Sequence, residues 1–104
     1  MADVRVASVA EFPARGARRV DAAGHRVAVV RIDDDWYAIG DRCSHAEASL
    51  AEGEIDAAAC TIECPKHGAS FALTTGEPRT LPATKPVPVY GVRIDGDDVI
   101  VEVP

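Results

Sequence analysis

The sequence has no apolar run long enough to span a membrane. Its opening segment, Met1 to Ala10, carries Asp3 and Arg5 and lacks the apolar core of a signal peptide. Positive charge is scarce: 11 Lys and Arg against 17 Asp and Glu leave a net charge of −6. That balance argues against nucleic acid and against an anionic membrane surface as partners, and favours a soluble chain that meets basic surfaces. Cysteine is sparse and odd in number, three in all. This does not read as a disulfide framework, so the reducing cytoplasm is the expected compartment. No dinucleotide fingerprint and no flavin-binding loop appears. Helical periodicity never extends beyond a turn or two, and no linker interrupts the chain.

What is present is β pattern. With 104 residues, a single domain over 1–104 is expected, and 47% hydrophobic residues suffice for a small core. Val4 and Val6 suggest a first strand, and Val9 to Arg15 a turn broken by Pro13. Gly24 and His25 mark a hairpin turn, followed by a β-branched strand through Val27, Val29 and Ile32 that ends at Asp33-Asp34-Asp35. Trp36 to Ile39 returns as the next strand. Thr61 and Glu63 alternate with Cys60 and Ile62, which predicts a half-buried strand with Cys60 on the inner side. Val87 to Val103 reads as a hairpin turned at Asp95-Gly96-Asp97. Arg15, Arg18 and Arg19 read as a solvated strand edge, and Trp36 and Tyr90 as core residues. The fold class is all-β.

Chemistry concentrates in one stretch. Cys43-Ser-His45 and Cys64-Pro-Lys-His67 each offer one thiolate and one imidazole, strong ligands for zinc and iron, and eighteen residues separate the two clips. Pro65 and Gly68 favour a loop at the second clip. Finger-type zinc sites usually group two cysteines in one clip and two histidines in the other. Here each clip is mixed, which suits a [2Fe–2S] cluster with one iron on Cys43 and Cys64 and the other on His45 and His67. A zinc site using Cys43, Cys60, Cys64 and a histidine is also conceivable, although the parity of Cys60 with Ile62 reads more simply as a buried structural cysteine. His25, in a turn, reads as a bystander.

In the runs Cys43-Ser-His45 and Cys64-Pro-Lys-His67-Gly68 the sequence resembles the Rieske iron–sulfur family. The resemblance implies an antiparallel β base with an inserted cluster-binding subdomain, here roughly 42–81, and one [2Fe–2S] cluster per chain. It also implies that Pro82 to Pro86 forms the proline loop flanking the cluster, and Leu50, the large apolar residue closest to the first clip, is expected to pack beneath it. High-potential members carry an extra cysteine in each cluster loop, joined in a disulfide; Ala48 and Lys66 stand there in this chain. They also carry a serine and a tyrosine where Ala69 and Phe71 stand. Both departures are similar to the low-potential Rieske ferredoxins of bacterial ring-hydroxylating dioxygenases, and imply a potential near the low end of the Rieske range. Two ferric irons, two sulfides and two thiolates balance to zero charge, whereas four thiolates would leave a dianion, so imidazole ligation raises the potential above that of an all-cysteine cluster.

The resemblance thus implies a one-electron carrier, a monomer without substrate chemistry of its own. It would take electrons from an NAD(P)H-dependent flavin reductase and pass them to a terminal non-haem iron oxygenase. The oxygenase subunits need a further mononuclear iron on two histidines and a carboxylate, and this chain has three histidines, two of them given to the cluster. A small Rieske-like subunit of an NAD(P)H nitrite reductase is the alternative within the family. A zinc-stabilised binding module and a redox sensor are the alternatives outside it.

Overall fold

The computed structural model describes residues 2–43, 48–66, 68–79 and 85–104. Its strands are β1 (Ala2–Ser8), β2 (Arg15–Ala22), β3 (His25–Ile32), β4 (Asp35–Gly40), β5 (Glu54–Asp56), β6 (Thr61–Glu63), β7 (Ser70–Ala72), β8 (Val89–Asp95) and β9 (Asp98–Val103). Among the described residues the only helical elements are two 3-10 turns, Val9–Glu11 and Leu50–Glu52.

The run Val27–Ile32 is apolar at almost every position because β3 is covered on both faces. Side chains of a strand alternate between faces, and here both alternating sets find a core. Val27 and Val29, with Ala38 of β4, join Ala7, Phe12, Ala22, Val99, Val101 and Val103 in one buried cluster. Ala28, Val30 and Ile32, with Ile39 of β4, join Leu50, Ile62, Phe71, Leu73 and Val87 in a second. The β3–β4 pair is therefore a shared wall between a base core and the core of whatever is built on top of it.

The base is an antiparallel six-stranded sheet in the order β1-β9-β8-β4-β3-β2, curled so that its edge strands β1 and β2 approach each other. Three tight hairpins set its register. Ala22 pairs with His25 across Ala23-Gly24, Ile32 with Asp35 across Asp33-Asp34, and Asp95 with Asp98 across Gly96-Asp97. His25 thus lies in β3 rather than in the turn, and its ring packs edge-on against Tyr90 at 5.8 Å. Trp36 and Tyr90 are half-buried against the base core rather than within it. Trp36 meets Phe12 edge-on at 5.0 Å and carries the Arg31 guanidinium over its outer face. The basic run lies exposed on the edge strand β2, with Arg18 paired to Glu11 at 2.7 Å.

Between β4 and β8 the chain builds a second sheet of three short antiparallel strands, β5-β6-β7. Close backbone approach fixes it in two places. A side chain at Gly53 would collide with the Glu63 carbonyl, and Gly76, at φ +74°, lies too near the Val87 carbonyl for any Cβ. Ala57–Cys60 forms a turn in which the Asp56 carboxylate accepts the Ala59 N–H at 3.0 Å. The chain then re-enters β6 through Cys60 at φ +56°. Cys60 precedes β6 and packs against the same upper core as Ile62, but it is half-buried rather than buried as the sequence predicts.

Candidate metal centre

Two loops leave the upper core from equivalent positions. In the first, Arg42 bridges Ser49, and the Cys43 N–H donates to the Ala48 carbonyl at 3.1 Å. In the second, Glu63 pairs with Ser70, and the Cys64 N–H donates to the Ala69 carbonyl at 2.6 Å. Each cysteine therefore opens a loop that closes on the alanine five residues later. Both thiols belong to the same apolar cluster, with Cys43 3% and Cys64 1% exposed. None of the three cysteines is in a disulfide.

The floor beneath the thiols is formed by Leu50, Ile62, Ala69, Phe71 and Leu73, all fully or almost fully buried. Leu50 packs in the same apolar core as Cys43 and Cys64. The outer part of the second loop is open: Pro65, Lys66 and Gly68 are exposed. Gly68 has φ +73°, and its N–H donates to the Cys64 carbonyl at 3.0 Å, a sharp reversal that glycine makes without strain. His45, His67 and residues 82–84 of the expected proline loop lie outside the described residues. Among the described residues no group of three or more His, Cys, Asp or Glu side chains gathers around a point. Two buried thiols on matched loops over an apolar floor are what a cluster with two thiolate ligands requires of the protein.

Sequence reasoning missed Asp41. Its carboxylate is fully buried. Oδ1 accepts from the Ser49 hydroxyl at 2.7 Å and from the Ala51 N–H at 3.0 Å, and Oδ2 accepts from Arg26 Nε at 2.8 Å. The Asp41 backbone contributes as well, its carbonyl accepting from the Leu50 N–H at 2.7 Å. The signal available in the sequence was a lone aspartate inside an otherwise apolar strand exit, Ala38-Ile39-Gly40-Asp41.

Cys60 sits at the side of the site. Tyr37 and Cys60 pack against the same core, and hydrogen bonding to Cys60, with burial and the nearby Asp35 carboxylate, pushes the Tyr37 pKa up to about 12. Tyr37 lies on β4, the strand that leads to the first loop, and Cys60 leads into β6, the strand that carries the second. The contact ties the two arms together below the loops.

Comparison with known proteins agrees with this geometry. Residues 2–91 match the family described as the Rieske [2Fe–2S] domain. The 3-phenylpropionate/cinnamic acid dioxygenase ferredoxin subunit of Escherichia coli (strain K12) is 43% identical over 96 residues, covering 92% of this chain and 89% of the relative. The structure superposes on the ferredoxin of carbazole 1,9a-dioxygenase from Nocardioides aromaticivorans IC177 with a TM-score of 0.93, at 40% identity over 98% of both chains. It also superposes on a chain from a complex of reduced oxygenase and oxidised ferredoxin in carbazole 1,9a-dioxygenase, with a TM-score of 0.87 at 37% identity, covering 96% of this chain and 92% of that one. The all-β class, the cofactor and the carrier role expected from the sequence stand together: the chain belongs to the Rieske [2Fe–2S] domain family, as an electron-transfer protein with one [2Fe–2S] cluster and not as a catalytic oxygenase subunit.

Proposed function

We propose that Cys43 and Cys64 hold the inner iron of the cluster and His45 and His67 the outer one, within a cluster-binding subdomain of roughly 42–81. The chain carries single electrons from an NAD(P)H-dependent flavin reductase to a terminal ring-hydroxylating oxygenase in the cytoplasm, as a monomer. The observation that supports the ligand set is the matched pair of loops, each opened by a buried cysteine and closed on an alanine five residues on. A likeness to a ferredoxin crystallised with its oxygenase supports the oxygenase as electron acceptor.

When bound, the cluster supplies one-electron redox chemistry at a site that is neutral when oxidised. The protein does the rest. Cys43 and Cys64, at the ends of hydrogen-bonded strand pairs, are held from below by Leu50, Ile62 and Phe71, which keep water from the thiolate side. His45 and His67 follow their cysteines by two and three residues in sequence. Imidazole bound through one nitrogen leaves the other for solvent or for a docked partner. Exposed Pro65 and Lys66, between Cys64 and His67, form part of that docking face.

The test is direct. Purified protein should contain iron and acid-labile sulfide in equal amounts, about two of each per chain, and its reduced form should show the low average g value of mixed nitrogen and sulfur ligation. Replacing Cys43, His45, Cys64 or His67 singly should abolish or rearrange the cluster, whereas Cys60→Ser should leave its content unchanged. Zinc without sulfide would overturn the ligand assignment, and full cluster content in Cys43→Ser would do the same.

A further inference from the structure

We propose that Asp41 is the positioning residue of the first cluster loop, holding its two limbs at fixed separation so that Cys43 is presented to the cluster. The inference rests on the ligand assignment above. The second loop springs from the β6–β7 hairpin, in which three consecutive residue pairs hold the limbs together. Among the described residues the limbs of the first loop meet in one residue pair, the bridge between Arg42 and Ser49, made by the Cys43 N–H to the Ala48 carbonyl and the Leu50 N–H to the Asp41 carbonyl. Asp41 adds to that single pair. From the outgoing limb its carboxylate reaches the Ser49 hydroxyl and the Ala51 N–H on the returning limb, beside the bridge bond that its own carbonyl accepts from the Leu50 N–H. The Arg26 guanidinium, 44% exposed, balances the buried charge from β3. The Asp41 N–H in turn donates to the Arg26 carbonyl at 3.1 Å, which ties the whole device to the wall shared by the two cores. Hydrogen bonds that involve a charged group are stronger than neutral ones, and a buried carboxylate stripped of any partner is costly. The arrangement is therefore both stiff and intolerant of change.

Cluster loss into a chelator requires the loop to open locally, so its rate reads the loop's own stability. The reference is Val101→Ala, a cavity in the base core remote from the loops, chosen because it lowers apoprotein stability without touching the loop. Asp41→Ala should lose its cluster about ten-fold or more faster than this reference at matched distance below each melting temperature, the effect of one lost charge-assisted bond. Asp41→Asn keeps an oxygen for Ser49 and Ala51 but turns an amide toward Arg26, so its loss rate should fall between Asp41→Ala and wild type. Its midpoint potential should rise, because a negative charge two residues from Cys43 has been removed. Should Asp41→Ala not fold, Asp41→Asn and Ser49→Ala carry the same comparison. Loss no faster than from Val101→Ala overturns the positioning role, and a shifted midpoint without faster loss overturns it too, leaving charge alone. Either failure, with Cys43→Ser still devoid of cluster, would sink this inference and leave the ligand assignment standing.

Discussion

The two cluster loops have the same closure and different foundations. Both begin at a buried cysteine whose N–H donates to an alanine carbonyl five residues on. The second loop is the tip of a short β-hairpin, and its geometry follows from strand pairing over Thr61–Glu63 and Ser70–Ala72. The first loop grows from the end of the base strand β4, where its described limbs share one bridged pair, and the buried Asp41 carboxylate adds side-chain bonds where the other loop has two further strand pairs. The difference shows that equivalent placement of two buried cysteines does not need equivalent scaffolding. A backbone ladder is general and tolerant of side-chain changes; a buried carboxylate is specific and intolerant of them.

The largest expected effects come from the shared floor. Phe71→Ala, on the second arm, should destabilise the protein by about 3–5 kcal/mol, and Leu50→Ala, on the first, by about 2–5 kcal/mol, both read by chemical denaturation of the apoprotein. If the two arms fold as one unit over one core, both variants should also speed cluster loss; an effect confined to stability would separate the floor from the loops. Next in size is Gly53→Ala, where the new methyl would meet the Glu63 carbonyl and force the β5–β6 pair apart. About 1–3 kcal/mol is expected, with the second loop weakened more than the first, read as faster amide exchange in β6 and β7 than around Ser49–Ala51.

Electronic tuning probes the second loop alone. Ala69 and Phe71 are fully buried beside the cysteines, and neither side chain can donate a hydrogen bond. Reduction adds negative charge, so a hydroxyl that reaches a sulfide or thiolate stabilises the reduced form more than the oxidised one. At roughly 1.5–3 kcal/mol per charged hydrogen bond, and about 59 mV per tenfold change for one electron, each successful hydroxyl should raise the midpoint by on the order of 60–130 mV. Ala69→Ser and Phe71→Tyr should act stepwise in a redox titration from a starting value nearer about −150 mV than +300 mV. A wild-type midpoint well above zero, or no response with the cluster intact, would count against this tuning.

A smaller, kinetic effect is expected from Lys66→Glu. Lys66 is exposed on the outer second loop of a chain with net charge −6, so its reversal should change the electron-transfer rate with a partner in a salt-dependent way while iron content stays constant. Identical rates across salt concentrations would move the docking face elsewhere. Smallest is Cys60→Ala. Without the Cys60 hydrogen bond the Tyr37 phenol should titrate well below its value of about 12, toward the ordinary tyrosine range, with unchanged cluster content. An unmoved Tyr37 titration would mean that burial, not the link between the two arms, holds the proton.

Much of this site was legible because ligand chemistry is local. Cysteine and histidine two or three residues apart can serve one group wherever the fold puts them, and Pro65 and Gly68 mark a loop by their own backbone limits. Strand identity was legible for the same reason, since Val27–Ile32 is β-branched and nearly continuous. Cys60 faces the upper core as expected but falls short of full burial, because it stands at φ +56° at the end of an aspartate-capped turn, and alternation counts residues without seeing φ.

The sequence by itself determined the all-β class, the hairpin turns and the four candidate ligands, all of which depend on the conformational and chemical preferences of neighbouring residues. Only the tertiary structure decided that β3 and β4 wall two cores at once, that Tyr37 meets Cys60, and that Asp41 fastens the first loop through Arg26, Ser49 and Ala51. Those are contacts between residues eight to twenty-three positions apart, or between sheet faces, and their energy comes from burial and from polar groups that must be paired once water is gone. No local preference encodes which distant partner will be there to pair with.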